Sequence, residues 1–266
     1  MISKTLKKIA AASILTTILA SNFTISNAAS HKVFIDAGHG GKDNGSNHNS
    51  YFEDAINLQI AKKLENKLID EGIKVEMSRK NDTYLSLSKR AIKSNNSDSD
   101  MFISIHQNSS LNKNANGIET YYMGDKNKSL ATTIHKNVIN YTNANNRNVR
   151  KGNFQVLRDN KKPSILLECG FISNPTEAYR LNNTDYQDKL VNGIVAGIKK
   201  YFNISDSSKY ATALNTVNIM SDRGKNFKII GTLPKGTKVK VIDTKFDWHK
   251  IKYNGRYGYV SGVYVK

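Results

Sequence analysis

Between residues 31 and 202 the chain alternates apolar runs of strand length with longer stretches in which apolar residues recur every three or four positions. Residues 32–35, 73–77, 101–105, 118–122, 154–157 and 164–167 read as strands. Ile56, Ile60, Leu64 and Leu68 form the stripe of an amphipathic helix over residues 51–69, and Leu130, Ile134 and Val138 mark another. Residues 84–95 also read as a helix. A last helix starts at Thr184, with Gln187 completing a capping box, and runs through Leu190, Ile194 and Ile198 to Tyr201. Such alternation predicts an α/β fold: a twisted, largely parallel sheet flanked by helices.

The pattern then changes. Residues 203–209 are polar and read as a linker, and residues 210–266 hold only short β-rich runs at 238–242, 248–253 and 257–260. Turn signals separate these runs, among them Pro234-Lys235-Gly236 and the hairpin pair Asn254-Gly255. This stretch is expected to be a separate small all-β barrel or roll. A single cysteine excludes an intrachain disulfide, so neither unit is stapled.

The first 28 residues read as an export signal: a basic start (Lys4, Lys7, Lys8), an uncharged and mostly apolar run from Ile9 to Ala20, and small residues at Ser26 and Ala28 before the expected cut. The run is shorter than the roughly 20 residues a membrane-crossing helix needs, so no membrane span is expected in the mature protein. The whole chain has 40 Lys+Arg against 22 Asp+Glu, a formal charge of +18. Without the three signal lysines the charge is +15, of which residues 210–266 supply +8. Export makes nucleic acid an unlikely polyanion. Anionic polymers and peptide carboxylates of a cell wall are the expected counterparts.

Three polar residues stand just beyond apolar strands. His39 follows Val33-Phe34-Ile35 after a short turn, His106 ends the run that begins at Met101, and Glu168 follows Ile165-Leu166-Leu167. If the strands are parallel, all three lie at one carboxyl edge of the sheet, where open α/β folds build their sites. Glu53 opens the helix after the first strand and starts near the same edge. Two imidazoles and two carboxylates suit a zinc hydrolase site, in which a His₂Glu set leaves a fourth position for water. Plainer roles fit the same residues: Glu53 as the far half of a capping box with Ser50, His39 in a Gly-rich turn, His106 as a core histidine, Glu168 in a salt bridge. His48, in the loop before Glu53, is a rival ligand expected to face solvent.

At these residues a family resemblance becomes specific. Val33-Phe34-Ile35-Asp36-Ala37-Gly38-His39-Gly40-Gly41 resembles the opening motif of the zinc-dependent N-acetylmuramoyl-L-alanine amidases of the third family. Glu53 with Asn57 is similar to the second motif, Ser104-Ile105-His106-Gln107-Asn108 to the third, and Leu167-Glu168-Cys169-Gly170-Phe171-Ile172-Ser173-Asn174 to the last. Asp82-Thr83-Tyr84-Leu85-Ser86-Leu87 followed by Arg90 resembles a further stretch of the family. The resemblance implies one zinc ion on His39, Glu53 and His106, with Glu168 as the catalytic carboxylate. It also implies cleavage of the amide between the lactyl group of N-acetylmuramic acid and L-alanine in peptidoglycan. Asp54 and Ala55 depart from the basic and acidic residues that commonly follow the ligand Glu. Cys169 is expected to be buried and not a nucleophile, and Asn108 either positions substrate or finishes a turn.

The C-terminal unit resembles bacterial SH3-like cell-wall domains through Gly231-Thr232-Leu233-Pro234-Lys235-Gly236, Trp248-His249-Lys250-Ile251 and Gly255-Arg256-Tyr257-Gly258-Tyr259-Val260. Trp248, Tyr257 and Tyr259 are its candidate wall-binding residues, although aromatics of this kind also fit the core of so small a barrel. The domains expected are thus a signal at 1–28, a catalytic unit at 29–202, a linker at 203–209 and an SH3-like unit at 210–266. The protein is expected to be secreted and wall-associated. Two other functions fit the same sequence: a non-catalytic wall-binding protein on this fold, or a zinc peptidase that cuts within the stem peptide.

Overall fold

A computed structural model describes residues 31–204 and 210–265. The expected export segment lies outside the described residues, as do residues 205–209 of the expected linker. In chain order the first unit consists of β1 (Lys32–Ala37), a small ribbon of β2 (Asn47–His48) and β3 (Tyr51–Phe52), α1 (Glu53–Asp70), β4 (Lys74–Met77) and α2 (Leu87–Asn96). It continues through β5 (Met101–Asn108), β6 (Ile118–Tyr122), α3 (Lys128–Thr142), β7 (Asn146–Lys151), α4 (Gln155–Arg158), β8 (Ser164–Phe171), α5 (Pro175–Leu181) and α6 (Thr184–Tyr201).

The sheet order is β4-β1-β5-β8-β6-β7. The first four strands are parallel; β6 runs antiparallel to β8, and β7 runs parallel to β6. The carboxyl ends of β1, β5 and β8 therefore share an edge with the amino ends of β6 and β7. Strand alternation sends Ile35, Ile103, Ile165 and Leu167 to one face, against Ile60, Leu64, Ile134, Leu190 and Ile194 of the long helices. Ile60, Leu64 and Leu68 are fully buried, each worth about 1.5–3 kcal/mol. Phe34, Phe102 and Leu166 point to the other face, where Val156 and Leu157 of α4 pack on them.

Four local expectations are corrected. Residues 154–157, expected as a strand, form the start of α4, because so short an apolar run carries no period that separates strand from helix. Residues 146–151 form the edge strand β7, hidden in sequence by its polar composition. The cap of α6 is Asn183, whose side chain accepts from the Asp185 and Tyr186 amides, so Thr184 is already helical. Helix α1 starts after Phe52 with no side-chain cap, which removes the capping-box role for Glu53.

Residues 210–265 form an antiparallel sheet ordered β11-β10-β14-β13-β12-β9, built from β9 (Tyr210–Thr212), β10 (Val217–Met220), β11 (Ile229–Leu233), β12 (Lys238–Lys245), β13 (Trp248–Tyr253) and β14 (Arg256–Ser261). Asn254 and Gly255 join β13 to β14 with φ of 46° and 77°, the two positive angles a type I′ turn requires. Val217, Ile219, Leu233, Ile251 and Val260 form its core. The unit meets the end of α1, where Glu71 accepts from Lys199 at 2.8 Å and from Lys240 at 2.6 Å. Asp70 accepts from Lys252 and from the Tyr257 hydroxyl, each at 2.5 Å. No helix among the described residues is long and apolar enough to cross a membrane.

The β1 end is tied to α2 by a buried ion pair. Arg90 donates to Asp36 at 2.8 Å, both side chains being nearly inaccessible. Burial raises the Asp36 pKa, but the adjacent Arg90 charge prevails and holds it below the ordinary 3.8. Asp36→Asn leaves a buried guanidinium without its counter-charge and is expected to cost about 3–5 kcal/mol in urea unfolding near neutral pH. A depressed carboxyl pKa stabilises the fold above the unfolded pKa and loses that effect on acidification. The wild-type and variant stabilities should therefore converge as pH falls below 3.8.

Candidate metal centre

The turn after β1 carries His39 with φ of 59°, a left-handed conformation that costs a non-glycine residue roughly 1–2 kcal/mol. Two arginines hold this turn by its carbonyls. Arg90 donates to the carbonyls of Ala37 at 2.7 Å and His39 at 2.7 Å; Arg79 donates to those of Ala37 and Gly38, each at 2.9 Å. Asp82 accepts from the Gly41 amide at 2.5 Å. The stretch from Asp82 to Arg90 singled out in the sequence is thus the framework of the His39 turn.

Helix α1 brings Glu53 to the same edge, where the side chain is 4% exposed. Its Oε1 lies 3.2 Å from His39 Nε2 and 2.9 Å from His106 Nδ1. The backbone amides of Ser46 and Gln107 also donate to Glu53. Buried Asn57 closes the arrangement: it donates to the Gly38 carbonyl at 3.2 Å and accepts from Gln107 at 3.0 Å. One donor atom from each of His39, Glu53 and His106 falls within 4.8 Å of the others. His39 turns its other nitrogen to Asp43 at 2.9 Å, the second-layer carboxylate that fixes ring orientation in many metal sites.

Electrostatics follow from this packing. Burial lowers the His39 pKa, but the bonds and charges of Glu53 and Asp43 outweigh it and raise it to about 9. Burial raises Glu53, yet the two histidines hold it well below the ordinary carboxylate range. A divalent cation would compete with protons for this donor set.

Glu168 is the register partner of His106 across β5 and β8. Burial, with help from the Glu53 and Glu119 charges and against that of His106, raises its pKa to about 7. Its Oε2 is buried and has no hydrogen-bond partner among the described residues, so the salt-bridge role is not taken up there. Cys169 is fully buried, and burial pushes its thiol well above the ordinary range, as an inert core residue requires. His48 lies outside the cluster, with its ring 3.3 Å from the Asn49 side chain.

Sequence reasoning missed Glu119 and Arg147. Glu119 pairs with Glu168 across β6 and β8 and is 4% exposed, and Arg147 donates to it at 2.7 Å. A lone carboxylate in the apolar run at 118–122 was the available signal. Asn108 accepts from the Ser109 amide, as in a turn, and donates to Glu119 at 3.0 Å. In the C-terminal unit, Trp248 is half-buried, Tyr257 is bound to Asp70, and the Arg223 guanidinium lies 4.9 Å over the Tyr259 ring.

Residues 33–200 match the family described as N-acetylmuramoyl-L-alanine amidase. The chain belongs to that family. Residues 215–266 match the bacterial SH3 domain. A crystallised N-acetylmuramoyl-L-alanine amidase from Clostridium difficile 630 is 44% identical, with a TM-score of 0.64 over 66% of this chain and 98% of that one. The probable cell wall amidase LytH of Staphylococcus aureus is 38% identical over 70% of this chain and 63% of its own length. The uncharacterised Bacillus subtilis protein YqiI is 38% identical over 64% of this chain and 84% of its own. This amidase thus has an α/β unit similar to theirs and also carries a bacterial SH3 domain.

One close contact makes the centre sensitive to a single methyl group. A Cβ on Gly38 would stand 2.3 Å from the His106 ring. In this amidase Gly38→Ala is expected to displace His106 and lower the affinity of the candidate centre for an added divalent cation by roughly 10–100-fold, read by calorimetric titration.

Proposed function

We propose that the protein is an exported, zinc-dependent hydrolase of peptidoglycan that cuts the amide between the lactyl group of N-acetylmuramic acid and L-alanine of the stem peptide. The observation that carries this reading is the convergence of His39, Glu53 and His106 beside Glu168, whose Oε2 is buried with no hydrogen-bond partner among the described residues. The donor set fits zinc: two imidazoles and one carboxylate, with Asp43 behind His39. When bound by these three residues, zinc would polarise the scissile carbonyl and bring a water molecule to near-neutral pKa.

The chain's own groups do the rest. Glu168 Oε2, raised towards neutrality and free of other bonds, accepts the proton of the attacking water and returns it to the leaving L-alanine nitrogen. The arginine-held turn keeps His39 in place throughout, and Asn57 keeps Glu53 aligned with Gly38. Export rests on the signal pattern at residues 1–28, and the domain limits proposed are 29–202 for the catalytic unit, 203–209 for the linker and 210–266 for the SH3-like unit. The excess charge of that last unit supplies attraction to anionic wall polymers, with Trp248 and Tyr259 as candidate contacts.

Digestion of purified peptidoglycan, with new termini identified by mass spectrometry, tests the chemistry. Free L-alanine amino ends should appear, and should vanish with a chelator or in Glu168→Gln. Absence of any cleavage favours a non-catalytic wall binder, and new ends inside the peptide favour a zinc peptidase. Retention is tested separately: binding of the full mature chain to insoluble wall should fall steeply between about 0.05 and 0.5 M salt. Salt-independent binding would remove the electrostatic account.

A further inference from the structure

The polar groups of the site do not stop at Glu168. His106 pairs with Glu168 across β5 and β8, and Glu168 pairs with Glu119 across β8 and β6. Arg147 of β7 reaches Glu119 with its Nε. His106, Glu168, Glu119 and Arg147 thus form one row over four neighbouring strands.

Three of the roughly four acceptor sites of Glu119 are already taken. One oxygen accepts from Asn108 at 3.0 Å and from the Tyr121 hydroxyl at 2.6 Å; the other accepts from Arg147 at 2.7 Å. Arg147 spends only its Nε on this bond and lies 4.8 Å over the Phe171 ring. Its two terminal nitrogens have no hydrogen-bond partner among the described residues, and its side chain is 31% exposed. A second arginine lies alongside. Arg150 donates through Nε to the Arg147 carbonyl, stands 3.8 Å from Glu119 and is 51% exposed.

Residues three apart on a regular strand face opposite ways, yet both arginines reach Glu119. The cause is a break in the β6–β7 register opposite Glu119, with Asn148 between the arginines at a φ of 71°. Glu119 takes only the Nε of Arg147, so the planar terminal donors of Arg147, with Arg150 alongside, stay unspent and face outward beside the catalytic carboxylate. Guanidinium forks match carboxylates in both charge and shape.

We propose that Arg147 and Arg150 form a substrate subsite that holds a carboxylate of the stem peptide, Phe171 and Glu119 fixing the orientation of Arg147. The subsite rests on the reading of Glu168 as the catalytic group of a muramoyl amide hydrolase. The peptide side of the scissile amide bears carboxyl groups, whereas N-acetylated sugar is neutral, so unspent guanidinium donors select the peptide side.

The test uses two soluble muramoyl peptides that differ only at the residue after L-alanine, whose α-carboxyl is free in one and amidated in the other. The readout is the ratio of kcat/KM values, with products identified by mass spectrometry. The zinc-loaded wild type should favour the free acid by about tenfold or more, as expected for a charge-assisted paired contact. Arg147→Gln should bring the ratio to about one. Arg147→Lys, which keeps the charge without the fork, should fall between. Arg150→Gln should also lower the ratio, and its half-exposed side chain makes it the second variant if Arg147→Gln does not fold. A wild-type ratio near one, or an unchanged ratio in both glutamine variants, overturns the subsite and leaves the amidase reading standing. Release of no free L-alanine amino end from either peptide overturns both.

Discussion

Two buried arginines hold the turn from which the site is built. Arg79 and Arg90 together satisfy the carbonyls of Ala37, Gly38 and His39, which no strand or helix pairs, and Arg79 also takes that of Asp54 at the start of α1. An unpaired buried carbonyl costs about as much as a lost hydrogen bond, so a loop this tight needs such donors. The arrangement also fixes His39 in its left-handed conformation and connects it to Glu53 through the Asp54 carbonyl one residue along. Asp36 balances the Arg90 charge, and Ser104 adds a bond at 2.8 Å. The geometry of the candidate metal centre is therefore set by groups outside the His39, Glu53 and His106 cluster.

The direction of the strands explains why polar residues from distant parts of the chain meet. Four parallel strands deliver His39, His106 and Glu168 with their carboxyl ends, as doubly wound sheets do. The reversed pair β6 and β7 then presents amino ends to the same edge, which adds Glu119 and Arg147. A sheet of wholly parallel strands would have carried those two residues to the opposite edge.

How much of this was readable in the sequence depends on where each signal lies. The apolar strands and the stripe of α1 declared themselves by period, and His39, His106 and Glu168 stood directly after apolar runs. Glu53 was readable as a position but not as a role, because a carboxylate at a helix start serves a cap as readily as a ligand; the helix start after Phe52 excludes the cap, and its contacts with His39 and His106 place it in the cluster. The polar strand β7 left no period to detect, so its two arginines could not be attached to the site. Residues 154–157 show the converse failure, since an apolar run of four fits α4 as well as it fits a strand. Tyr257 carried the aromatic signal of a binding surface, whereas its hydroxyl is spent on Asp70.

Helix α1 contributes at both ends. Its first residue, Glu53, is part of the metal centre, and Asp70 at its far end grips Lys252 and Tyr257 of the SH3 domain. Eighteen residues at 1.5 Å each make it a rod of about 27 Å. On the proposed reading the helix is a spacer of set length: a wall segment held by the SH3 domain beyond Asp70 would be a different stretch of polymer from a bond seated at Glu53. Cutting at one end would then not by itself release the protein at the other.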